Sequence, residues 1–298
     1  MKINTLIILL LLSYTFAFGS DTLSTKKDRT NRYIIAGSEI AGYSASYLAL
    51  GQLWYSGYPH TSFHWQNDIH EWMQMDKFGH SWSAYWIART NYRLFRSTNY
   101  NDNSSILVSM ASSWLFMSTI EFFDGHSTLY GASPTDILAN TIGVSFFGFQ
   151  QYFWKEQKIL YKFCFYPSAY AKYNPNEFGT NYLNNILKDY NGQVYWFSVG
   201  LRNITNKQFF PAWLNVAVGI AATGMTGGAA NNKSTINGIQ PLPDSQRERQ
   251  LYFSFDINTE KIKTKNKALR SILFTLNSIK FPLPSLQINR GGSKIVLR

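Results

Sequence analysis

The chain has a single cysteine among its 298 residues, Cys164. One thiol cannot close an internal disulfide, so packing alone must hold the fold, and a cysteine-rich zinc module is excluded. Flanked by Phe163 and Phe165, Cys164 is expected to be a small buried hydrophobe. Charge is scarce as well. Charged residues make up 15% of the chain, against about 25% in ordinary soluble domains. Aromatics reach 17%, so either little surface faces water or much of it faces lipid or partners. His80 has no second histidine nearby at metalloprotease spacing, and His60, His64 and His70 fall in an aromatic-rich loop without a recognisable metal motif. The glycine-rich stretch 226–239 has its Lys233-Ser234 pair after Asn232 rather than after the glycine a phosphate loop requires, and is expected to be a flexible hairpin connection. No metal and no cofactor is therefore expected.

The chain begins with Lys2, an apolar run over 6–12, and Ala17-Phe18-Gly19 ahead of Ser20. A positive start, a short apolar core and small residues before a cut form a secretory signal peptide over 1–19. A polar segment, 20–32, follows. No cysteine stands at the processing site to carry a lipid. Cationic residues exceed anionic ones 28 to 17, and the excess concentrates at the far end. Positions 247–298 hold eleven Lys/Arg against three Asp/Glu. In an exported protein that charge suits anionic lipid or lipopolysaccharide; nucleic acid is not an expected partner.

Four helical tracts are expected over 33–55, 68–96, 104–123 and 137–154. In the first, Gly37, Ala41, Ala45 and Ala49 recur every four positions, with Ser38, Gly42 and Ser46 beside them. Such a stripe lets a second helix approach closely. Glu39 argues against unbroken lipid exposure. The fourth tract is charge-free and nearly long enough to span a bilayer. Its start is marked by Ser133 as N-cap, Pro134, and Asp136 completing a capping box.

Beyond 170 the period changes. Tyr195, Phe197, Val199 and Leu201 alternate with Trp196, Ser198 and Gly200. Leu214, Val216, Val218 and Ile220 alternate with Asn215, Ala217 and Gly219. Leu251, Phe253, Phe255 and Ile257 alternate with Tyr252, Ser254, Asp256 and Asn258. Period-two alternation with a small or polar second face fits a half-buried or membrane-facing sheet. The stretch from Gly192 onward has room for four or five strands, fewer than a membrane barrel needs. Over 268–279, Leu269, Ile272, Leu273, Leu276 and Ile279 share a helical face preceded by Lys261, Lys263, Lys265 and Lys267, with Arg270 at its start. That pattern marks a helix lying in a membrane interface. The expected fold is α+β: a membrane-associated bundle of about four helices over 33–170, then an antiparallel β-rich region over 171–298 containing the amphipathic interfacial helix.

Polar residues interrupt the helices. Asp76 and His80 are four apart on one face with Lys77 beside them; Glu121 and Asp124 are three apart, and Asp136 and Asn140 four apart. Ionisable groups inside an apolar bundle are costly unless paired. Asp76, Lys77, His80, Glu121, Asp124, Asp136 and Asn140 are therefore expected to form a polar network that fixes helix register. The alternative is chemical: His80 as general base or ligand, oriented by Asp76 or Glu121, with Lys77 holding a phosphate or carboxylate. Asp136 is expected to be committed to capping.

The ordered set Asp76-Lys77-x-x-His80, Glu121-x-x-Asp124 and Ser133-Pro134-x-Asp136-x-x-x-Asn140-x-x-Gly143 resembles the VanZ-like superfamily, most closely its exported branch of predicted periplasmic lipoproteins of unknown function. The resemblance covers 68–153 and implies a small bundle of membrane-associated helices. It carries no reaction onto these residues. The strand-rich extension resembles that of long outer-membrane-associated members from Bacteroidota. The expectation is an exported protein of the outer membrane, integral or on its periplasmic side. It would be non-enzymatic, an accessory subunit of a protein-assembly, secretion or transport complex. The alternatives are a lipid- or cell-wall-phosphate enzyme using Lys77 and His80, and a lipid-binding structural module.

Overall fold

A computed structural model of the chain describes residues 25–52, 59–173, 175–205, 207–231 and 245–298. The signal-peptide assignment, the first residues of the polar segment, positions 53–55 of the first helical tract and most of the glycine-rich loop lie outside them. The chain divides into two compact units, 1–68 with 83–156, and 69–82 with 157–298.

The first unit is helical. Helix α1, Lys26–Leu50, starts within the segment expected to be merely polar. Thr25 Oγ1 accepts the Asp28 amide at 3.1 Å while Asp28 takes the Thr25 amide at 3.3 Å, so two otherwise unsatisfied donors are closed reciprocally. Helix α2, Met75–Arg96, contributes Ser83 onward to this unit. Helices α3, Asp102–Asp124, and α4, Pro134–Trp154, complete it.

The contact face of α1 differs from the one its small residues suggest. Arg32, Ala36 and Glu39 are the buried positions, and Ala36 joins Phe95, Tyr100 and Val108 in a core cluster. The Arg32 guanidinium lies 4.2 Å from the Tyr100 ring centroid, a favourable cation–π distance. Gly37, Ala41, Ala45 and Ala49 are exposed, with open space beside Gly37 and Gly42. Large residues that can close on Ala36 outweigh a stripe that offers little apolar area to bury. Glu39 is buried because Asn91 receives it: with the amide oriented to satisfy its neighbours, Asn91 Nδ2 donates to Glu39 Oε1 at 3.1 Å and to Ile87 O at 3.2 Å.

Among the described residues, α3 is the one helix long and apolar enough to cross a bilayer. Helix α4, expected to be nearly long enough to span, carries Thr135, Asn140, Thr141, Gln150 and Gln151, which dilute it.

The second unit is built on one antiparallel sheet in chain order: β1 Ile159–Phe165, β2 Gln193–Gly200, β3 Leu214–Thr223, β4 Glu248–Ile257, β5 Pro284–Asn289 and β6 Gly292–Leu297. Five strands follow Gly192, as expected. The additional β1 precedes position 170. Short helices α5, Pro175–Phe178, α6, Tyr182–Lys188, and α7, Leu201–Thr205, punctuate the connections. Helix α8, Lys267–Leu276, links β4 to β5. The long β3–β4 connection is the expected hairpin link. Its described part is fastened by Arg247, which donates to Gly228 O and Ala229 O, and by Asn231, whose amide reaches Gly224 O and Ser245 O.

The two faces of this sheet are inverted relative to a soluble protein. Asn215, Ala217, Gly219 and Ala221 on β3, and Tyr252 and Asp256 on β4, are buried. Their strand neighbours Val218, Leu251, Phe253 and Phe255 are exposed. Cys164, Val194, Trp196, Ala217, Ala221 and Tyr252 form one cluster, and Val296 of β6 packs against it, so the sheet curls over its small-residue face. Small residues are needed there. A Cβ on Gly219 would stand 2.8 Å from the Trp196 ring. Cys164 is buried as expected and accepts the Trp196 indole N–H at 3.2 Å; burial pushes its thiol up to about 11.

Candidate functional site

In the second unit the polar residues at the start of α2 are delivered by an unusual turn. Trp72, Met73 and Gln74 all have positive φ, at 46°, 49° and 59°. None is glycine or asparagine, so the left-handed conformation is strained and must be imposed by its surroundings. The clamps are visible. The Trp72 amide donates to Gly228 O at 2.9 Å, its ring packs on Phe178 and Tyr190, and Arg249 donates to the Gln74 carboxamide.

Immediately after this turn comes Asp76, buried, with Lys77 Nζ 2.8 Å from its Oδ2 and the Lys77 amide 2.9 Å from its Oδ1. A carboxylate in a first helical turn is favoured by the helix dipole. His80, one turn on, is half-buried. The neighbouring residues join this turn to the sheet: the Tyr161 hydroxyl donates to Phe78 O at 3.0 Å and lies 2.9 Å from Ser81 Oγ. Phe78 stacks on Tyr195, and Trp82 packs on Phe163. Complete burial, then the proximity of Tyr161 and of the Asp76 carboxylate, raises the Tyr195 hydroxyl well above the usual phenol range. Gly79 allows the approach, since a Cβ there would meet Tyr195 Oη at 2.9 Å.

In the first unit Glu121, Ser133, Asp136 and Asn140 are buried. Ser133 caps α4 as the sequence indicated, its Oγ accepting the Asp136 amide at 3.1 Å. The other half of the expected capping box is taken by a different residue. The Ser133 amide donates to Glu121 Oε2 at 3.0 Å, so capping does not commit the Asp136 carboxylate. Asp68, absent from the expected set, accepts from Ser133 Oγ at 2.6 Å and Thr135 Oγ1 at 2.9 Å. Asp124 ends α3, half-buried, its carbonyl accepting the Ser127 amide at 3.0 Å. The 59–68 segment runs along the α3–α4 turn through Thr61–His126, His64–Gly125 and Gln66–Ala132 backbone bonds. Phe63 covers Phe122 and His126.

Of the seven expected network residues, Asp76, Lys77 and His80 belong to the second unit and Glu121, Asp124, Asp136 and Asn140 to the first. Asp68 could have been suspected from Ser133 and Thr135, whose hydroxyls need an acceptor. The left-handed turn at Trp72–Gln74 leaves no signal, because its residues carry no turn preference.

Residues 64–151 match the model of a family described as Predicted periplasmic lipoprotein (DUF2279). No curated protein and no solved structure matches the chain. The family match, the membrane-length helix α3 and the outward apolar face of the sheet agree with an exported, membrane-associated protein of the cell envelope. The matched family is named for lipoproteins, whereas the one cysteine of this sequence is Cys164, buried within β1 and not placed to carry a lipid.

Proposed function

We propose that the protein is a non-enzymatic, outer-membrane-associated accessory subunit of a protein-assembly, secretion or transport complex. One observation carries the reading. The register aligns Val218, Phe253, Leu286 and Ile295 across β3 to β6, and all four are exposed. A row of large apolar side chains on a sheet face marks a surface made for lipid or for another chain. The sheet ends at β6, beyond which no strand pairs among the described residues. An open edge cannot sit in hydrocarbon, so a membrane-facing sheet of this kind calls for a partner strand or a seat at headgroup level. The ordered motif set of the helical segment supports kinship with the exported VanZ-like branch, and the strand-rich extension with long Bacteroidota members of it.

The test is gentle purification from native membranes with identification of co-purifying chains. One or more stoichiometric envelope proteins are expected, and their loss on Phe253→Asp would tie them to the sheet. A monomeric, partner-free protein overturns the reading.

A second reading is a lipid- or cell-wall-phosphate site at Lys77 and His80, with Asp76 orienting. It is favoured by the strained Trp72–Gln74 turn directly ahead of these residues, since such strain collects at functional sites. His80→Ala should then abolish turnover of a phosphorylated glycolipid while leaving the melting curve unchanged. Wild-type protein inert on a panel of such substrates sinks it.

A further inference from the structure

Helix α8 is attached to the second unit by the wrong side for a soluble amphipathic helix. Its buried residue is Phe274, whereas Leu269 and Ile272, on the opposite side, are 42% and 54% exposed. Ile279, just past the helix, and Ile262 before it are exposed too. At 100° per residue Leu269 and Ile272 lie on the side away from Phe274, with Leu273 and Leu276 half-buried at the margin of the stripe.

Polar bonds, rather than the apolar stripe, hold the helix. Thr259 Oγ1 donates to Leu273 O at 2.5 Å, and the Asn277 amide reaches Asn258 Oδ1 at 3.1 Å and Glu260 Oε1 at 2.6 Å. The segment just beyond bonds to β1 through Phe163 N to Ser278 O and Lys280 N to Phe163 O. The apolar stripe is therefore left outward by an attachment that fixes its orientation.

The chain entering this helix supplies the charge. Lys261, Lys263, Lys265 and Lys267 are all exposed and alternate with Ile262, Thr264 and Asn266, and Arg270 follows on the helix. The only carboxylate in this stretch, Glu260, receives the Asn277 amide. Lysines beside an aliphatic stripe without aromatics suit a membrane interface. Protein interfaces are instead depleted of lysine and enriched in aromatic residues and arginine. Lysines near an anionic leaflet each add to its binding.

We propose that α8 and the lysine run before it form an interfacial anchor for anionic lipid. The aliphatic stripe enters the acyl boundary, and Lys261, Lys263, Lys265 and Lys267 meet the headgroup phosphates. The anchor rests on the envelope placement above but not on the accessory-subunit role. An isolated protein with no partner would still bind lipid this way.

The test uses the full chain in nanodiscs, with Ile272→Cys carrying an environment-sensitive dye and Cys164 remaining buried. Blue-shifted emission, quenched by brominated phosphatidylglycerol more than by brominated phosphatidylcholine, is expected. Reversing Lys263, Lys265 and Lys267 to Glu should reduce the phosphatidylglycerol preference on the order of a hundredfold or more. A dye with water-like emission that neither lipid quenches overturns the anchor. So does equal quenching by both lipids that the charge reversals leave unchanged. In complexes isolated from native membranes, a dye shielded by a co-purifying chain and unquenched by lipid assigns the stripe to a protein partner and also overturns it. Unchanged thermal melting of the Ile272→Cys protein verifies the fold, since the side chain is exposed.

Discussion

Lys162 on β1 and Asp256 on β4 lie 2.8 Å apart with neither side chain exposed. They sit beneath the curl of the sheet, with two strands between theirs in pairing order. Lys162 Nζ also donates to Ile257 O at 2.7 Å, Ser198 Oγ donates to Asp256 Oδ2 at 2.6 Å, and the Asn215 amide donates to Ser198 Oγ at 2.9 Å. Charges can be held there because strands β1 to β4 each contribute a polar partner.

Breaking this pair from one side should be costly. Lys162→Met is expected to destabilise the fold by about 3–5 kcal/mol, because Asp256 is left as an uncompensated buried charge. Replacing both residues, Lys162→Met with Asp256→Leu, should restore most of that loss. Urea unfolding of the single and double variants measures the difference. Equal loss in both would mean that the pair's shape, not its charge, matters.

Gly219 predicts a second dependence. Gly219→Val should cost roughly 1–3 kcal/mol through overpacking, since a Cβ already meets the Trp196 ring at 2.8 Å. A lowered thermal midpoint together with altered tryptophan emission is the expected signature. Val218→Ala, on the exposed face next door, should leave that emission unchanged.

The Cys164 thiol sets a pH dependence. Its folded value of about 11 lies above the unfolded reference of 9.0, so the folded chain holds the proton more tightly. The two states differ little below pH 9, and stability is lost as pH rises through 9 toward 11. The loss should total roughly 2–3 kcal/mol. The unfolding free energy of wild type relative to Cys164→Ala, from urea titrations across that window, should fall by this amount. A constant offset would show that the thiol does not ionise differently on folding.

Ser133→Ala removes the cap of α4 and the donor that reaches Asp68. A loss of about 1 kcal/mol is expected from the cap alone. Hydrogen exchange should speed up first in the α4 amides from Thr135 to Ile137, while β2 and β3 remain protected. Uniform acceleration throughout the chain would instead indicate global destabilisation.

Much of the architecture could be recognised from local pattern. The capped start of α4, the alternation in β2, β3 and β4, and the amphipathic stripe of α8 are properties of a few neighbouring residues, and each appears where the sequence placed it. Strand β1 was hidden because Lys162 interrupts an otherwise apolar run, and only Asp256, almost a hundred positions away, makes a buried lysine acceptable there. The acidic residue completing the α4 cap escaped for the same reason: spacing favoured Asp136, yet the Ser133 amide bonds to Glu121 on another helix.

By itself the sequence determined periodicity, capping, the shortage of charge and the existence of two unlike faces on each strand and on α8. Tertiary structure decided which face is inside. Alternation cannot choose between them, because both sides of a strand are present whichever way the sheet bends. The choice follows from curvature and volume: the curl leaves room for Gly219, Ala217 and Ala221 against Trp196, and so turns Val218, Phe253 and Phe255 outward. The same holds for α8, where bonds from Thr259 and Asn277 and the burial of Phe274 fix the helix by one side and leave Leu269 and Ile272 exposed on the other.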